Sequence, residues 1–167
     1  LQVGYLERFN PAFAACQPRI KNPHYIETLR IHSFLERGSD VDVVLDLMSH
    51  DIDLVLSVVS SPVRQIHAVG LSHMTQRTDL ANVRIIFENG AVANLTASRI
   101  SRKAERKMRL FQKNCYMSMD LALPGARLYS SSSPSAGPQP VSVMEDTLEV
   151  KKGDALLVEI QAFLTSI

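Results

Sequence analysis

Asn82-Val83-Arg84-Ile85-Ile86-Phe87-Glu88-Asn89-Gly90-Ala91-Val92-Ala93-Asn94-Leu95-Thr96-Ala97-Ser98-Arg99-Ile100 reads as one β-hairpin. Two strand-like runs, 82–88 and 91–100, flank Asn89-Gly90. Asn-Gly suits a two-residue type I′ turn, because both central residues of that turn need positive φ. The strands carry small or apolar residues on both alternations. A sheet covered by helices on one side would therefore show a partly apolar second face, of the kind that commonly meets a partner.

Outward from the hairpin, more strands follow. Upstream, Val63, Gln65, His67 and Val69 alternate with Arg64, Ile66 and Ala68, so 63–73 reads as a strand, and 24–34 as another. Residues 2–9 alternate weakly and read as a strand. Asn10-Pro11 then opens a short helix, Ala12 to Cys16, with Asn as cap and Pro in the first turn. Downstream, 106–112 and 115–123 pair around Lys113-Asn114, and 127–130 and 141–148 add short strands. Ser130 to Pro140 is a Ser- and Pro-rich low-complexity stretch and reads as a mobile surface loop. Residues 153–166 read as a helix with Leu156, Leu157, Ile160, Phe163 and Leu164 on one face. No internal repeat is visible. The strand segments number six to eight, and the pattern is α+β: an open, mostly antiparallel sheet of about six strands with helices on one face.

The 167 residues fit a single domain, and 46% hydrophobic residues suffice for a core. With 18 Lys+Arg against 17 Asp+Glu, charge singles out neither nucleic acid nor an acidic tail. No uncharged apolar run of about 18 residues marks a membrane span. Leu1-Gln2-Val3-Gly4-Tyr5 is not a signal peptide, and Ala162 to Ile167 stops within a helical pattern. Both ends read as those of a fragment. Cys16 and Cys115 lack CxxC spacing; they read as two reduced thiols of a cytoplasmic protein, with a disulfide as the alternative.

The chemistry concentrates in Val41-Asp42-Val43-Val44-Leu45-Asp46-Leu47-Met48-Ser49-His50-Asp51-Ile52-Asp53-Leu54-Val55-Leu56-Ser57-Val58-Val59. Gly38-Ser39-Asp40 breaks the chain before this helix, Ser39 or Asp40 can cap it, and Pro62 ends it. At about 100° per residue, Asp42, Asp46, Ser49, His50, Asp53 and Ser57 fall in a stripe roughly 100° wide. Asp51 alone among the acids lands with the apolar residues. Short polar groups without Lys, Arg or Glu do not snorkel, so the helix reads as buried on most sides with its stripe lining a cleft. Asp46 and His50, at i and i+4, are neighbours on that stripe. A carboxylate beside an imidazole fixes its tautomer and favours a general base. The same spacing also fits a structural His satisfied by Asp46, or a metal site of Asp46, His50 and Asp53.

Asp46-Leu47-Met48-Ser49-His50-Asp51-Ile52-Asp53 resembles the D-x-G-x-H-x-x-D signature of the Gfo/Idh/MocA oxidoreductases. Gly4-Tyr5-Leu6-Glu7-Arg8-Phe9-Asn10-Pro11 resembles the family's opening G-x-x-x-R-F-N-P. The 83–101 hairpin and the helix from Asp154 follow in the family's order. The resemblance is nearest the nucleotide-sugar dehydrogenases. It implies a glyceraldehyde-3-phosphate-dehydrogenase-like C-terminal domain. It also implies hydride transfer to NAD or NADP from a hydroxyl-bearing carbon of a sugar, cyclitol or nucleotide sugar. By position, His50 takes the hydroxyl proton and Asp46 is its carboxylate partner. Arg8, Asn10 and Asp53 are carried over as substrate-side residues; for Arg8 and Asn10 a salt bridge and a helix cap are the alternatives. Met48 stands where the family has Gly, which would narrow the pocket or change substrate preference.

The family's nucleotide half is not legible here. The seven glycines (4, 38, 70, 90, 125, 137, 153) form no G-x-G-x-x-G, and no Glu-Lys-Pro occurs. The chain by itself is therefore expected to bind no cofactor and to be inactive. Its partners are an N-terminal Rossmann domain and, through the open sheet face, further copies in a homo-oligomer. A non-catalytic dimerisation or ligand-binding module of the same fold is the competing reading. His24, His32, His67 and His73 read as surface or satisfied histidines. The basic residues Arg99, Arg102, Lys103, Arg106, Lys107 and Arg109 read either as a solvated face or as a contact for a phosphate or diphosphate.

Overall fold

The computed structural model describes residues 3–131 and 143–166. Eight strands form one sheet: β1 (Tyr25–Ile31), β2 (Val63–Leu71), β3 (Leu80–Phe87), β4 (Val92–Ser98), β5 (Glu105–Gln112), β6 (Cys115–Asp120), β7 (Gly125–Ser131) and β8 (Val143–Leu148). Their order is β2-β3-β4-β1-β5-β6-β7-β8. The sheet is larger than the six strands expected, and it is mixed. β1 runs parallel to β4 at the centre, with Tyr25 opposite Val92 and Ile31 opposite Ser98. The other strand pairs are antiparallel. One parallel pair arises because the chain leaves β1, crosses one face as a helix, builds β2 to β4 and returns beside β1, as a crossover must.

That helix begins with a wide turn, Val44–Met48, bonded i to i+5, and continues as α2, Ser49–Val58. The short α1, Pro11–Cys16, is capped by Asn10, whose side chain accepts from Ala12 N–H. The final helix is α3, Ala155–Thr165, capped by Asp154. A strand was expected over residues 2–9, but the described part, 3–9, does not form one. Leu6–Phe9 is a single 3₁₀ turn leading into α1, because Glu7 is drawn inward to a buried arginine. Neither Ser39 nor Asp40 caps the long helix; Asp42 instead accepts from Thr78 N–H and ties the helix start to the loop before β3. The hairpin turn differs as well. Of Asn89 and Gly90 only Gly90 has positive φ (84°). Phe87 N–H donates to Ala91 O and Gly90 N–H to Phe87 O, the pattern of a type I turn closed by a glycine bulge.

Alternation assigns the faces. Ile26, Ala93, Leu95, Met108, Leu110 and Met117 are buried beneath Phe13 and Cys16 of α1 and Leu54 and Val55 of α2. The opposite face is more polar than its sequence suggested. Its centre carries Glu27, Arg84, Asn94, Thr96, Lys107 and Arg109 around a shallow concavity of about 450 Å³. An aromatic row, Tyr25, Phe111, Tyr116 and Tyr129, crosses strands β1, β5, β6 and β7. Phe111 stacks on Tyr116 at 4.6 Å and Tyr116 on Tyr129 at 5.0 Å. The low-complexity stretch lies largely outside the described residues. Among the described residues, no helix is long and apolar enough to cross a membrane. Cys16 and Cys115 are free thiols.

Candidate active site

The helix bearing His50 is covered on one side only. Met48, Asp51, Asp53, Leu54 and Val55 are buried, while Val44, Leu45 and Leu56 are exposed. The expectation of burial on most sides is thus not met. The two acids among the buried residues are there because each meets an arginine.

The first pair joins two predicted residues. Arg8 Nε and Nη2 donate to Asp53 Oδ2 and Oδ1 at 2.6 and 2.7 Å. Asp53 is nearly enclosed and Arg8 half-exposed. The bonds to Asp53 raise the Arg8 pKa above its ordinary value against a smaller opposing effect of burial. With both carboxylate oxygens taken, Asp53 orients Arg8, and Arg8 is the member that meets solvent.

The second pair was not expected. Arg30 lies on β1 among the inward-facing positions, with its side chain only 5% exposed. Its Nε and Nη2 donate to Asp51 Oδ1 at 3.1 and 2.7 Å, and its Nη1 to Glu7 Oε1 at 2.8 Å. Glu7 also accepts from Asn10 Nδ2 and the half-exposed Arg106. Burial pushes Asp51 above the usual carboxylate range despite Arg30. Burial alone would lower Arg30, but Asp51 and Glu7 hold it above its ordinary value. One guanidinium thus locks α2, β1 and the 3₁₀ turn together. The clue in the sequence was Asp51, the one acid on the apolar side of the helix.

His50 projects beside this lock. Its ring meets Tyr5 edge to face, centroids 6.0 Å apart. Nδ1 is buried and without a hydrogen-bond partner among the described residues, which leaves Nε2 as the accessible nitrogen. Asp46 does not complete the expected dyad: among the described residues, no hydrogen bond or ion pair joins it to His50. Asp46 sits in the wide turn and is exposed. Its carboxylate leans toward Gly38, where an added Cβ would lie 3.4 Å from Oδ2 and where φ is +78°. The wide turn resets the azimuth between Asp46 and the residues that follow, and such turns are common at functional sites.

The remaining expectations resolve by placement. Asn10 is a buried structural residue: Oδ1 caps α1, and Nδ2 donates to Glu7 and to Leu121 O at 2.9 Å. These bonds match the helix-cap alternative given for this residue. Met48 is fully buried in the core, so its bulk does not enter the site. Ser49 and Ser57 turn their hydroxyls onto their own helix, at Leu45 O and Leu54 O. Among the described residues no three His, Cys, Asp or Glu side chains group to hold a metal ion. The basic cluster is divided. Arg99 is buried and donates to Gly38 O at 2.8 Å and to Val41 O, Arg106 faces Glu7, and Lys107 and Arg109 pair with Glu105 and Glu27 across the open sheet face. Arg99 thereby pins the loop leading into the helix from one side. Asp79 organises the neighbouring loop, accepting from His73, Met74 and Thr75 N–H and from the Thr75 hydroxyl. Burial opposes its ionisation, but those four donors hold it well below the usual carboxylate range.

Arg8 also borders an open groove of about 730 Å³, lined by Phe9, Pro11, Ala14, Lys151, Lys152 and Val158. Of the candidate residues, His50 thus lies against Tyr5, Arg8 is half-exposed and held by Asp53, and Asp46 is exposed beside Gly38.

Comparison with known proteins gives this arrangement a context. The family model described as GFO/IDH/MocA C-terminal domain matches residues 22–115, more than half of the chain. UDP-N-acetylglucosamine 3-dehydrogenase of Acidithiobacillus ferrooxidans is 34% identical over 168 residues, which span all of this chain and 53% of that protein. A solved structure of that enzyme superposes with TM-score 0.90, covering 99% of this chain and 53% of the other. Levoglucosan dehydrogenase in complex with NADH and levoglucosan superposes with TM-score 0.71 at 14% identity, covering 96% of this chain and 54% of its own. That last likeness shows the fold alone. The chain spans about half the length of the relatives it matches.

Proposed function

The chain belongs to the GFO/IDH/MocA family as a C-terminal domain, and from that premise we propose that it is the substrate side of an NAD(P)-dependent oxidoreductase acting on a sugar, cyclitol or nucleotide-sugar hydroxyl. The observation that carries the reading is His50, held against Tyr5 with Nδ1 inward and one nitrogen open, beside an arginine oriented by Asp53. In the proposal, His50 Nε2 accepts the proton of the substrate hydroxyl as general base. Arg8 offers its outward N–H edge to substrate oxygens. Asp46 is the carboxylate partner of His50 in the substrate complex, where catalytic hydrogen bonds that are open in the free protein commonly tighten.

A nicotinamide dinucleotide would take up the hydride. The residues present do not fit its binding: the chain has no Gly-rich strand–turn–helix for a pyrophosphate. The proposal assigns that role to an N-terminal Rossmann domain of the full-length protein. The relative whose name specifies a nucleotide sugar favours that substrate class over a free sugar. The open sheet face, with its aromatic row, is proposed as the contact of a homo-oligomer.

The test is a screen of the full-length protein with sugars and nucleotide sugars, followed by NAD(P)H absorbance, with His50→Ala as control. The variant should lose about 10²-fold in kcat with cofactor affinity unchanged. Wild-type turnover by His50→Ala would remove His50 from the mechanism. Tight NAD(H) binding by residues 1–167 alone would overturn the division of roles.

A further inference from the structure

The 3₁₀ turn Leu6–Phe9 and helix α2 meet along two rungs of the same spacing. On the turn, Tyr5 is the cap and Arg8 N–H donates to its carbonyl at 3.1 Å, which fixes the two residues relative to each other. On the helix, His50 and Asp53 stand at i and i+3 and so share one face. Arg8 grips both oxygens of Asp53. Tyr5 meets His50 with ring planes at 86° and centroids 6.0 Å apart, an edge-to-face arrangement that aromatic pairs favour. The turn is backed from the far side by α3, where a Cβ on Gly4 would lie 3.4 Å from Glu159 Oε1.

The two rungs differ in kind. Arg8 and Asp53 fix each other by two hydrogen bonds. The imidazole of His50 has no such tie, since Nδ1 is buried without a partner among the described residues. The χ2 torsion of a histidine is broad by nature, so an imidazole without a hydrogen bond rocks unless packing stops it. A general base is sensitive to such motion, because misplacing a reacting group by about 1 Å can cost about 10²-fold in rate. Both rings are partly buried against each other. Removing the Tyr5 ring leaves the Arg8–Asp53 pair and the Arg30 network in place. The turn and the helix then stay where they are, and the imidazole alone loses its restraint.

We propose that Tyr5 is a positioning residue of the site: its aromatic ring holds the His50 imidazole with Nε2 toward the substrate, in place of the hydrogen bond that Nδ1 lacks in the free protein. Tyr5 acts through His50, so this role rests on the reading of His50 as general base. The ring carries the effect and the hydroxyl does not, which makes phenylalanine the conservative replacement and leucine the disruptive one.

The test compares wild type, Tyr5→Phe, Tyr5→Leu and His50→Ala in the full-length protein. NMR relaxation of isotope-labelled histidine rings reads the restraint directly. The His50 ring should be as rigid as the backbone in wild type and Tyr5→Phe, with an order parameter of about 0.85, and should fall below about 0.6 in Tyr5→Leu. Turnover is followed with NAD or NADP and UDP-N-acetylglucosamine, the nucleotide sugar named in the 34%-identical relative, as probe. Tyr5→Leu should lose about 10-fold or more in kcat with KM within about 2-fold of wild type, and Tyr5→Phe should keep both. Amide exchange in α2 and β1 should be the same in wild type and both Tyr5 variants. A wild-type ring as mobile as that of Tyr5→Leu, equal losses in Tyr5→Phe and Tyr5→Leu, or faster α2 exchange in Tyr5→Leu would each overturn the role. Full turnover by Tyr5→Leu beside an inactive His50→Ala refutes Tyr5 alone, whereas full turnover by His50→Ala refutes the base and Tyr5 with it. If the probe is not turned over, the ring relaxation decides alone, and if Tyr5→Leu fails to fold, Tyr5→Met takes its place.

Discussion

Asp51→Ala removes the carboxylate that takes two of the three guanidinium bonds of Arg30. Both side chains are almost fully buried, at 3% and 5% exposure, and water has no ready route to the stranded charge. Breaking one side of a buried pair costs about 3–5 kcal/mol. Glu7 remains on Nη1 at 2.8 Å and keeps Arg30 partly compensated, which places the expected loss near the lower figure, about 3 kcal/mol. For a domain of this size that corresponds to a fall in Tm of about 6–12 °C, and for a longer chain unfolding as one unit to a smaller one. The assay is thermal and urea unfolding of the full-length protein carrying Asp51→Ala, Arg30→Met, or the triple change Glu7→Gln/Arg30→Met/Asp51→Leu. The triple variant should recover most of the loss, because a buried ion group replaced whole by neutral groups of similar size is often close to neutral. Activity should fall with Asp51→Ala as well, since α2 carries His50 one residue away. A loss below about 1 kcal/mol in Asp51→Ala, the range of an exposed pair, would refute the claim that this network locks the helix to the sheet.

Asp53→Asn should cost only about 0.5–1 kcal/mol, because Arg8 is half-exposed and screened, yet it should raise KM for substrate more than it lowers kcat, which steady-state kinetics would show. Asp46→Ala should lower kcat while leaving Tm within about 1 °C, since an exposed side chain without an ion pair contributes little to folding; unchanged kcat would strike Asp46 from the site. Asp79 has a folded pKa below its unfolded value, so its stabilisation is fully present above about pH 4 and is lost as pH falls further, through the folded value. Asp79→Asn should therefore flatten the acid limb of the unfolding midpoint against pH, and an unchanged limb would count against the loop assignment. The Cys16 thiol, pushed up to about 11 by burial, should resist a thiol reagent that labels Cys115 in the native protein; equal labelling rates by mass spectrometry would contradict its placement in the core.

The sequence by itself determined the elements that depend on local pattern. The strands from 63 to 120 follow alternation, Asn10 caps α1 because a side-chain oxygen there satisfies a free N–H, and the 41–59 segment is helical because its apolar residues recur at helical spacing. His50, Arg8 and Asp53 stand out in the sequence as candidate site residues, and a salt bridge is the alternative reading of Arg8, but that Asp53 is its partner is not legible there. What tertiary structure decided was every question of which partner meets which. The parallel β1–β4 pairing joins residues about seventy apart, and no local period encodes it. Glu7 is pulled from strand into a 3₁₀ turn because Arg30 on another element needs its charge. Asp46 and His50 share a nominal helical spacing, but a wide turn that the periodicity does not reveal separates their contacts. For α3 the spacing groups Leu156, Leu157, Ile160, Phe163 and Leu164 on one face, and only the tertiary structure shows the four aliphatic ones exposed and Glu159 turned inward, since amphipathic spacing does not state which side of a helix meets the sheet.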